Sequence, residues 1–220
     1  SAVIVFPGSN CDRDAAIALE SHTGSRPEMV WHGESTLPSK LDLIIIPGGF
    51  SYGDYLRAGA MAGHSPIMGD IVKASEKGIA ILGICNGFQI LTETGLLPGT
   101  LLRNSQLNFI CRSVGVTVKT KDSVFTSGYC LNSSLKIPIA HHDGNYYADD
   151  RTLDSLEGED RIAFSYSGHN PNGSRRAIAG ILSRKRNVLG MMPHPERAVD
   201  VKTGSTDGAL LFKTLVKNLT

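Results

Sequence analysis

The chain has 220 residues, 41% of them hydrophobic, enough for one domain with a substantial core. Its 22 lysines and arginines against 21 aspartates and glutamates leave a net charge of +1, so no global field draws it to nucleic acid, an anionic membrane or a polyanionic substrate. The four cysteines, Cys11, Cys85, Cys111 and Cys130, contain no C-x-x-C pair and are too sparse for a disulfide framework, which excludes a zinc knuckle and a thioredoxin motif and points to a reducing, cytoplasmic setting.

Residues 2–6 read as the first strand, followed by the loop Gly8-Ser9-Asn10 and an amphipathic helix over 12–22. Strands follow over 27–31 and 43–46, with Pro47-Gly48-Gly49 after the latter. Residues 79–82 form another apolar run and lead into Gly83-Ile84-Cys85-Asn86-Gly87, with a helix expected over 86–94. These runs are nearly continuous instead of alternating, as strands buried on both faces are, so helices must cover both sides of the sheet. The second half has a different texture. Strand candidates at 107–112, 114–119, 135–140, 161–166, 177–182 and 187–191 follow one another with few helices between them, and an amphipathic helix over 207–219 closes the chain. The pattern predicts one three-layer α/β/α domain over residues 1–220. Its core is a mostly parallel open sheet with helices on both faces and antiparallel strand additions. No apolar stretch is long enough to span a bilayer, and no charged segment followed by an apolar one opens the chain as a targeting signal.

Cys85 sits where a strand must turn sharply into a helix, with glycines on both sides, the pattern of a cysteine nucleophile elbow. A thiol attacks as thiolate, and the start of a helix favours that form. The alternative role for such a residue is that of a small buried hydrophobe. A nucleophile needs a proton carrier, and Pro193-His194-Pro195-Glu196 follows a strand candidate. In an extended segment between prolines, residues two apart project to the same side, so Glu196 can orient and charge-stabilise the His194 imidazole. The Gly49 and Asn86 amides are the candidate oxyanion donors, one in the glycine loop and one directly after the nucleophile. These residues alone admit any acyl transfer.

In order and separation, Pro47-Gly48-Gly49, the segment from Gly83 to Gln89, and Pro193-His194-Pro195-Glu196 resemble the three signature segments of triad-type (class I) glutamine amidotransferases. Further blocks at 6–12, 49–59, 140–146, 170–174 and 187–192 are similar to a branch of that family, and together they span nearly the whole chain. Members of that branch supply ammonia to an ATP-dependent synthetase that converts formylglycinamide ribonucleotide to formylglycinamidine ribonucleotide in purine biosynthesis. The resemblance implies that Cys85 attacks the side-chain amide of glutamine, forms a γ-glutamyl thioester and releases glutamate and ammonia. It further implies that Gly48, Phe50, Gln89, His141, Asp143, Gly144, Asn145 and Tyr146 bind glutamine.

No G-x-x-x-x-G-K-[ST] occurs, so no cofactor is expected in this chain, and ATP and Mg are assigned to a large synthetase subunit, with a small bridging subunit as a second partner. No metal is expected at His141, His142 and Asp143, because three consecutive strand residues cannot all face one ion. The partner is expected over the active-site edge, at residues 9–13 and 51–57, with Tyr52, Tyr55 and Arg57 as contacts and Asp12 and Asp54 as helix caps. Two rival readings share parts of the pattern: a class I glutaminase serving another synthetase, and the PfpI-like hydrolases and chaperones. The latter share the cysteine elbow but lack the Pro-His-Pro-Glu segment.

Overall fold

The computed structural model describes residues 1–54 and 58–219. In chain order its elements are β1 (Ala2–Val5), α1 (Asp12–Thr23), β2 (Glu28–Trp31), β3 (Leu43–Ile46), α2 (Ala58–Gly63), α3 (Met68–Glu76), β4 (Ala80–Ile84) and α4 (Asn86–Glu93). There follow β5 (Thr100–Leu102), β6 (Ile110–Val118), β7 (Ser134–His141), β8 (Asn145–Tyr147), α5 (Asp150–Gly158), β9 (Ile162–Tyr166), β10 (Ile178–Leu182), β11 (Val188–Met191) and α6 (Ala209–Leu219). Among the described residues, nine strands form one sheet in the order β2-β1-β3-β4-β11-β10-β9-β6-β7, and β5 pairs with β8 separately.

The sheet is mixed. From β2 to β11 neighbouring strands run parallel, and from β11 to β7 they run antiparallel. β3, β4 and β11 are buried along their whole length, which explains their unbroken apolar sequences. The step from β1 to β2 runs in the opposite direction from the step from β3 to β4, so right-handed crossovers send their helices to opposite faces. Accordingly α1 packs with α6, while α4 packs with α2 and lies on β3, β4 and β11. The reversal between β1 and β3 opens a crevice at the carboxyl ends of the strands.

β7 ends the sheet, yet its outer edge is not left to solvent. The Pro138 carbonyl accepts the His194 N–H at 2.9 Å, and the Ala140 carbonyl lies 3.6 Å from the Cys85 thiol. The antiparallel half therefore curls until its last strand meets the end of β4. Pro138 fits there because the outer face of an edge strand needs no amide donor.

Three features differ from the sequence expectation. The strand candidates at 107–112 and 114–119 are one strand, β6, whose pairing with β7 runs without a break from Ile110 to Thr117. Helix α5 was not anticipated: its buried stripe is only Leu153 and Leu156, and its start is fixed by Asp149, whose carboxylate accepts the Thr152 N–H at 2.7 Å. The short β5–β8 pair also carries no periodicity long enough to read.

Candidate active site

β4 runs straight into the turn at Cys85, which has φ 53° and ψ −106°, a strained backbone for a residue with a Cβ. Neighbouring strands hold it there: the Cys85 N–H donates to Met191 O at 2.8 Å, and its carbonyl accepts from the Phe88 and Gln89 amides of α4. The helix lies so close to β3 that a Cβ on Gly87 would meet Ile46 O at 1.9 Å, which is why the second elbow glycine is required.

His194 leaves β11 in the proline-bracketed segment and is buried with Glu196. Its Nδ1 lies 2.7 Å from Glu196 Oε1, and since a carboxylate only accepts, Nδ1 carries a proton, which in the neutral ring leaves Nε2 as the acceptor. Burial works against protonating this ring. The Glu196 charge, the nearby Cys85 and the contacts with the Cys11 and Cys85 thiols outweigh it and hold the pKa well above the ordinary imidazole range. The site thus favours the imidazolium that forms when Cys85 gives up its proton.

Gly48 locates the two reactive groups. A Cβ there would lie 2.9 Å from Cys85 Cβ and 2.9 Å from His194 Cε1, so both side chains close over the bare glycine. Gly49 follows with φ 90°. Asn86 opens α4, where the first amides have no acceptor inside the helix. Its side chain ties the site together: Oδ1 accepts the Ser51 N–H at 3.2 Å, and Nδ2 donates to Asp54 Oδ1 and Gln89 Oε1, each at 2.9 Å. Gln89 Nε2 in turn donates to Asp143 O at 2.8 Å, joining α4 to the 141–146 segment. Burial, together with the neighbouring Asp143 charge, pushes the Asp54 carboxyl above its usual range, against the hydrogen bond from Asn86.

A second network fixes the 141–146 segment. Asn104 Nδ2 donates to Asn108 O and His141 O, so its Oδ1 is the acceptor for the Gly144 N–H at 3.1 Å and for His141 Nδ1 at 3.0 Å. His141 is therefore the Nδ1–H tautomer. Its buried Nε2 has no partner, and burial, with the charge on His194, lowers its pKa to about 3. Asn172 Nδ2 and Ser174 Oγ hold Gly144 O from the other side, and Asn172 also reaches the Tyr166 hydroxyl at 3.1 Å.

The remaining expected residues divide. Phe50 stands at the rim with φ 53°, stacked on Phe109 at 5.8 Å, and Phe109 meets His142 edge-on at 5.4 Å. Asn145 donates to Arg103 O at 3.3 Å. The Tyr146 side chain turns away from the site: it is fully buried, stacks on Phe88 at 5.7 Å and donates its hydroxyl proton to Pro98 O. Asp12 does not cap α1: it is the first residue of that helix and accepts the Arg13 N–H; Asp54 accepts from Asn86 Nδ2, and the residues that follow it lie outside the described ones. Tyr52 is held by His32 and Ser65 through its hydroxyl, while Tyr55 and Arg57 lie outside the described residues. Asn104, Tyr166 and Cys11 were not singled out from sequence. Cys11 sits with His194 and Glu196, their candidate ligand atoms within 4.8 Å of one another, although it comes from the other end of the chain. It had a weak signal in the 6–12 block; Asn104 had none.

A cleft of about 650 Å³ beside the site is lined by Asp54, Met61, Leu101, Leu102, Arg103 and Asp143, and offers both charges to a zwitterion. A larger cavity of about 780 Å³ lies at the opposite, amino ends of β4 and β11, whereas Asp54 and Asp143 of the smaller cleft bond to Asn86 and Gln89 beside Cys85, so the smaller cleft is the relevant one. The assembly can attack an acyl carbon, hold an oxyanion and shuttle a proton.

The chain matches the CobB/CobQ-like glutamine amidotransferase domain over residues 1–208. It is 57% identical over 219 residues to a protein of Novosphingobium aromaticivorans described as phosphoribosylformylglycinamidine synthase subunit PurQ, covering 100% of this chain and 97% of that one. A protein of the same description from Ruegeria pomeroyi is 60% identical over 220 residues, covering 100% and 98%. Among solved structures, a chain of PurLQS from Thermotoga maritima superposes with a TM-score of 0.89 at 44% identity, covering 100% of this chain and 98% of that chain. The glutaminase domain of Trypanosoma brucei CTPS with bound acivicin shares the fold at a TM-score of 0.61 and 15% identity, covering 100% and 94%.

Proposed function

We infer, because this chain belongs to the CobB/CobQ-like glutamine amidotransferase family, that Cys85, His194 and Glu196 are its hydrolytic triad and glutamine its substrate. The chain is a glutamine amidotransferase, and its function is that of the glutaminase subunit of phosphoribosylformylglycinamidine synthase. The observation that carries the site assignment is the closure of Cys85 and His194 over Gly48, with Glu196 bonded behind the imidazole.

In this reading His194 Nε2 takes the Cys85 proton and the thiolate attacks the side-chain carbonyl carbon of glutamine. The oxyanion is held by the Gly49 and Asn86 N–H groups, a pair in which each donor is worth about 10²–10³ in rate. When the tetrahedral adduct collapses, the C–N bond breaks and His194 returns its proton to the departing ammonia. The γ-glutamyl thioester is then hydrolysed by a water that His194 deprotonates, the C–S bond breaks, and glutamate leaves with Cys85 reprotonated. Neutral His141 presents an acceptor inside the site, and the cleft with Asp54, Asp143 and Arg103 receives the amino-acid end of glutamine.

The chain acts within a synthase complex whose synthetase uses ATP. We assign Mg to that synthetase as well, include a small bridging subunit, and place the complex in the cytoplasm; among the described residues no helix is long and apolar enough to cross a membrane. Ammonia is mostly ammonium at neutral pH and then has no lone pair to react with, so the two sites must be docked. The exposed Phe50, Leu107 and Phe109 at the rim are the apolar seat for the synthetase. The test is glutamate release by this chain mixed with the synthetase, with and without formylglycinamide ribonucleotide and ATP. Release should rise with those ligands; release indifferent to them removes the assignment to this synthetase and leaves a glutaminase.

A further inference from the structure

Cys11 takes no part in the reaction above, yet the fold buries it against the reacting groups. It is 1% exposed, precedes α1, and packs so tightly on the oxyanion loop that a Cβ on Gly49 would come within 2.8 Å of its Sγ. Its sulfur, a His194 ring nitrogen and a Glu196 oxygen lie within 4.8 Å of one another, all three residues buried. Within these residues His194 Nε2 and Glu196 Oε2 are buried with no hydrogen-bond partner. A thiol, an imidazole and a carboxylate gathered in this way are a donor set for zinc, whereas magnesium and calcium require oxygen ligands.

With Zn–S at about 2.3 Å and Zn–N at about 2.0 Å, tetrahedral zinc holds its donors roughly 3.5 Å apart. Donors already within 4.8 Å need only small side-chain rotations to reach that spacing. We propose that Cys11, His194 and Glu196 form a binding site for a thiophilic divalent cation of the zinc type, and that its occupation switches the glutaminase off. On binding, the Cys11 thiol becomes a thiolate and its proton passes to solvent. The imidazole gives the metal its lone pair. If the ion takes Nδ1, the ring proton moves to Nε2; if it takes Nε2, that lone pair is consumed. In both cases no acceptor remains for the Cys85 proton. The ion is therefore an inhibitor, in contrast to hydrolytic zinc sites that keep a coordination position for the attacking water.

The test uses the full chain with the exposed Cys111 and Cys130 replaced by serine. Cobalt(II) is titrated in and thiolate-to-cobalt charge transfer is read in the near ultraviolet, a signal that needs no turnover and so does not depend on the substrate being glutamine. A single cobalt should bind and be displaced by zinc, with the band kept in Cys85→Ser and lost in both Cys11→Ser and Cys11→Ala. In the assembled complex, zinc should inhibit glutamate release, and Cys11→Ser should weaken that inhibition by about 100-fold or more, each enzyme being compared with its own zinc-free rate. Circular dichroism and melting confirm that at least one Cys11 variant is folded. Unchanged cobalt binding in a folded Cys11 variant, or a band that depends on Cys85 alone, overturns the proposal.

Discussion

Adding one methyl group at Gly48 should disable the site without touching any reacting atom. The new Cβ would lie 2.9 Å from Cys85 Cβ, 2.9 Å from His194 Cε1 and 3.1 Å from Ile84 O. Carbon atoms rest about 3.5–4.0 Å apart, so each side chain must retreat by roughly 0.6–1.1 Å. The Ile84 carbonyl, at the end of a strand paired on both sides, has little room to yield. A displacement of about 1 Å costs on the order of 10²-fold in rate, and overpacking of this kind costs about 1–3 kcal/mol of stability. The assay is glutamate release by the assembled complex at saturating glutamine, beside ammonia-dependent synthesis, which Gly48→Ala should leave intact. Gly69 in α3 provides the control, since a Cβ there meets nothing within 4 Å, and Gly69→Ala should be neutral or stabilising by about 0.5–1 kcal/mol. A Gly48→Ala enzyme with kcat within about threefold of the parent would refute the claim that the two groups are set by closure over this glycine.

Glu196→Gln keeps a group beside Nδ1 but removes the charge that favours the imidazolium; kcat should fall by about 10²–10⁴, and the His194 titration followed by NMR should move down in pH. His141 has its pKa lowered from 6.5 to about 3, so it favours the folded state where it is neutral, above pH 6.5, and that contribution is lost as pH falls from 6.5 toward 3. Three and a half units correspond to about 5 kcal/mol, so His141→Gln should flatten the acid limb of stability measured by urea denaturation between pH 4 and about 6.5, and an unchanged limb would contradict the burial argument. Asn104→Ala strands two carbonyls, the Gly144 N–H and the His141 ring together, and should cost roughly 3–6 kcal/mol in urea denaturation; a loss below about 1 kcal/mol would show that the network is not cooperative.

What could be read from the sequence was what carries its own local cause. Leu43–Ile46 is an unbroken apolar run, β-branched from Ile44 to Ile46, and is found where it was expected, buried throughout. Cys85, His194 and Glu196 were legible because glycines and prolines next to them prescribe the backbone that presents them, and the structure brings the three expected segments together. Tyr146 was not legible, because a strand residue can face either side and the choice was made by Phe88 and Pro98, far away in sequence. β6 read as two strands because the polar face of a half-buried strand looks like a break, and its continuity comes from β7. Asp12 read as a cap, but α1 begins one residue earlier than that role requires, with Cys11 at its N-cap against the oxyanion loop. Cys11 and Asn104 join the site only through the folded chain, one beside a triad from the other terminus and the other beneath a loop forty residues on.

The most direct test of the account is Cys85→Ser in the assembled synthase, assayed for formylglycinamidine ribonucleotide formation with glutamine and, separately, with ammonium salt. Glutamine-dependent synthesis should vanish while ammonia-dependent synthesis stays at the parent rate. Persistent glutamine-dependent synthesis, or equal loss of both, would contradict the claim that Cys85 frees ammonia for a partner.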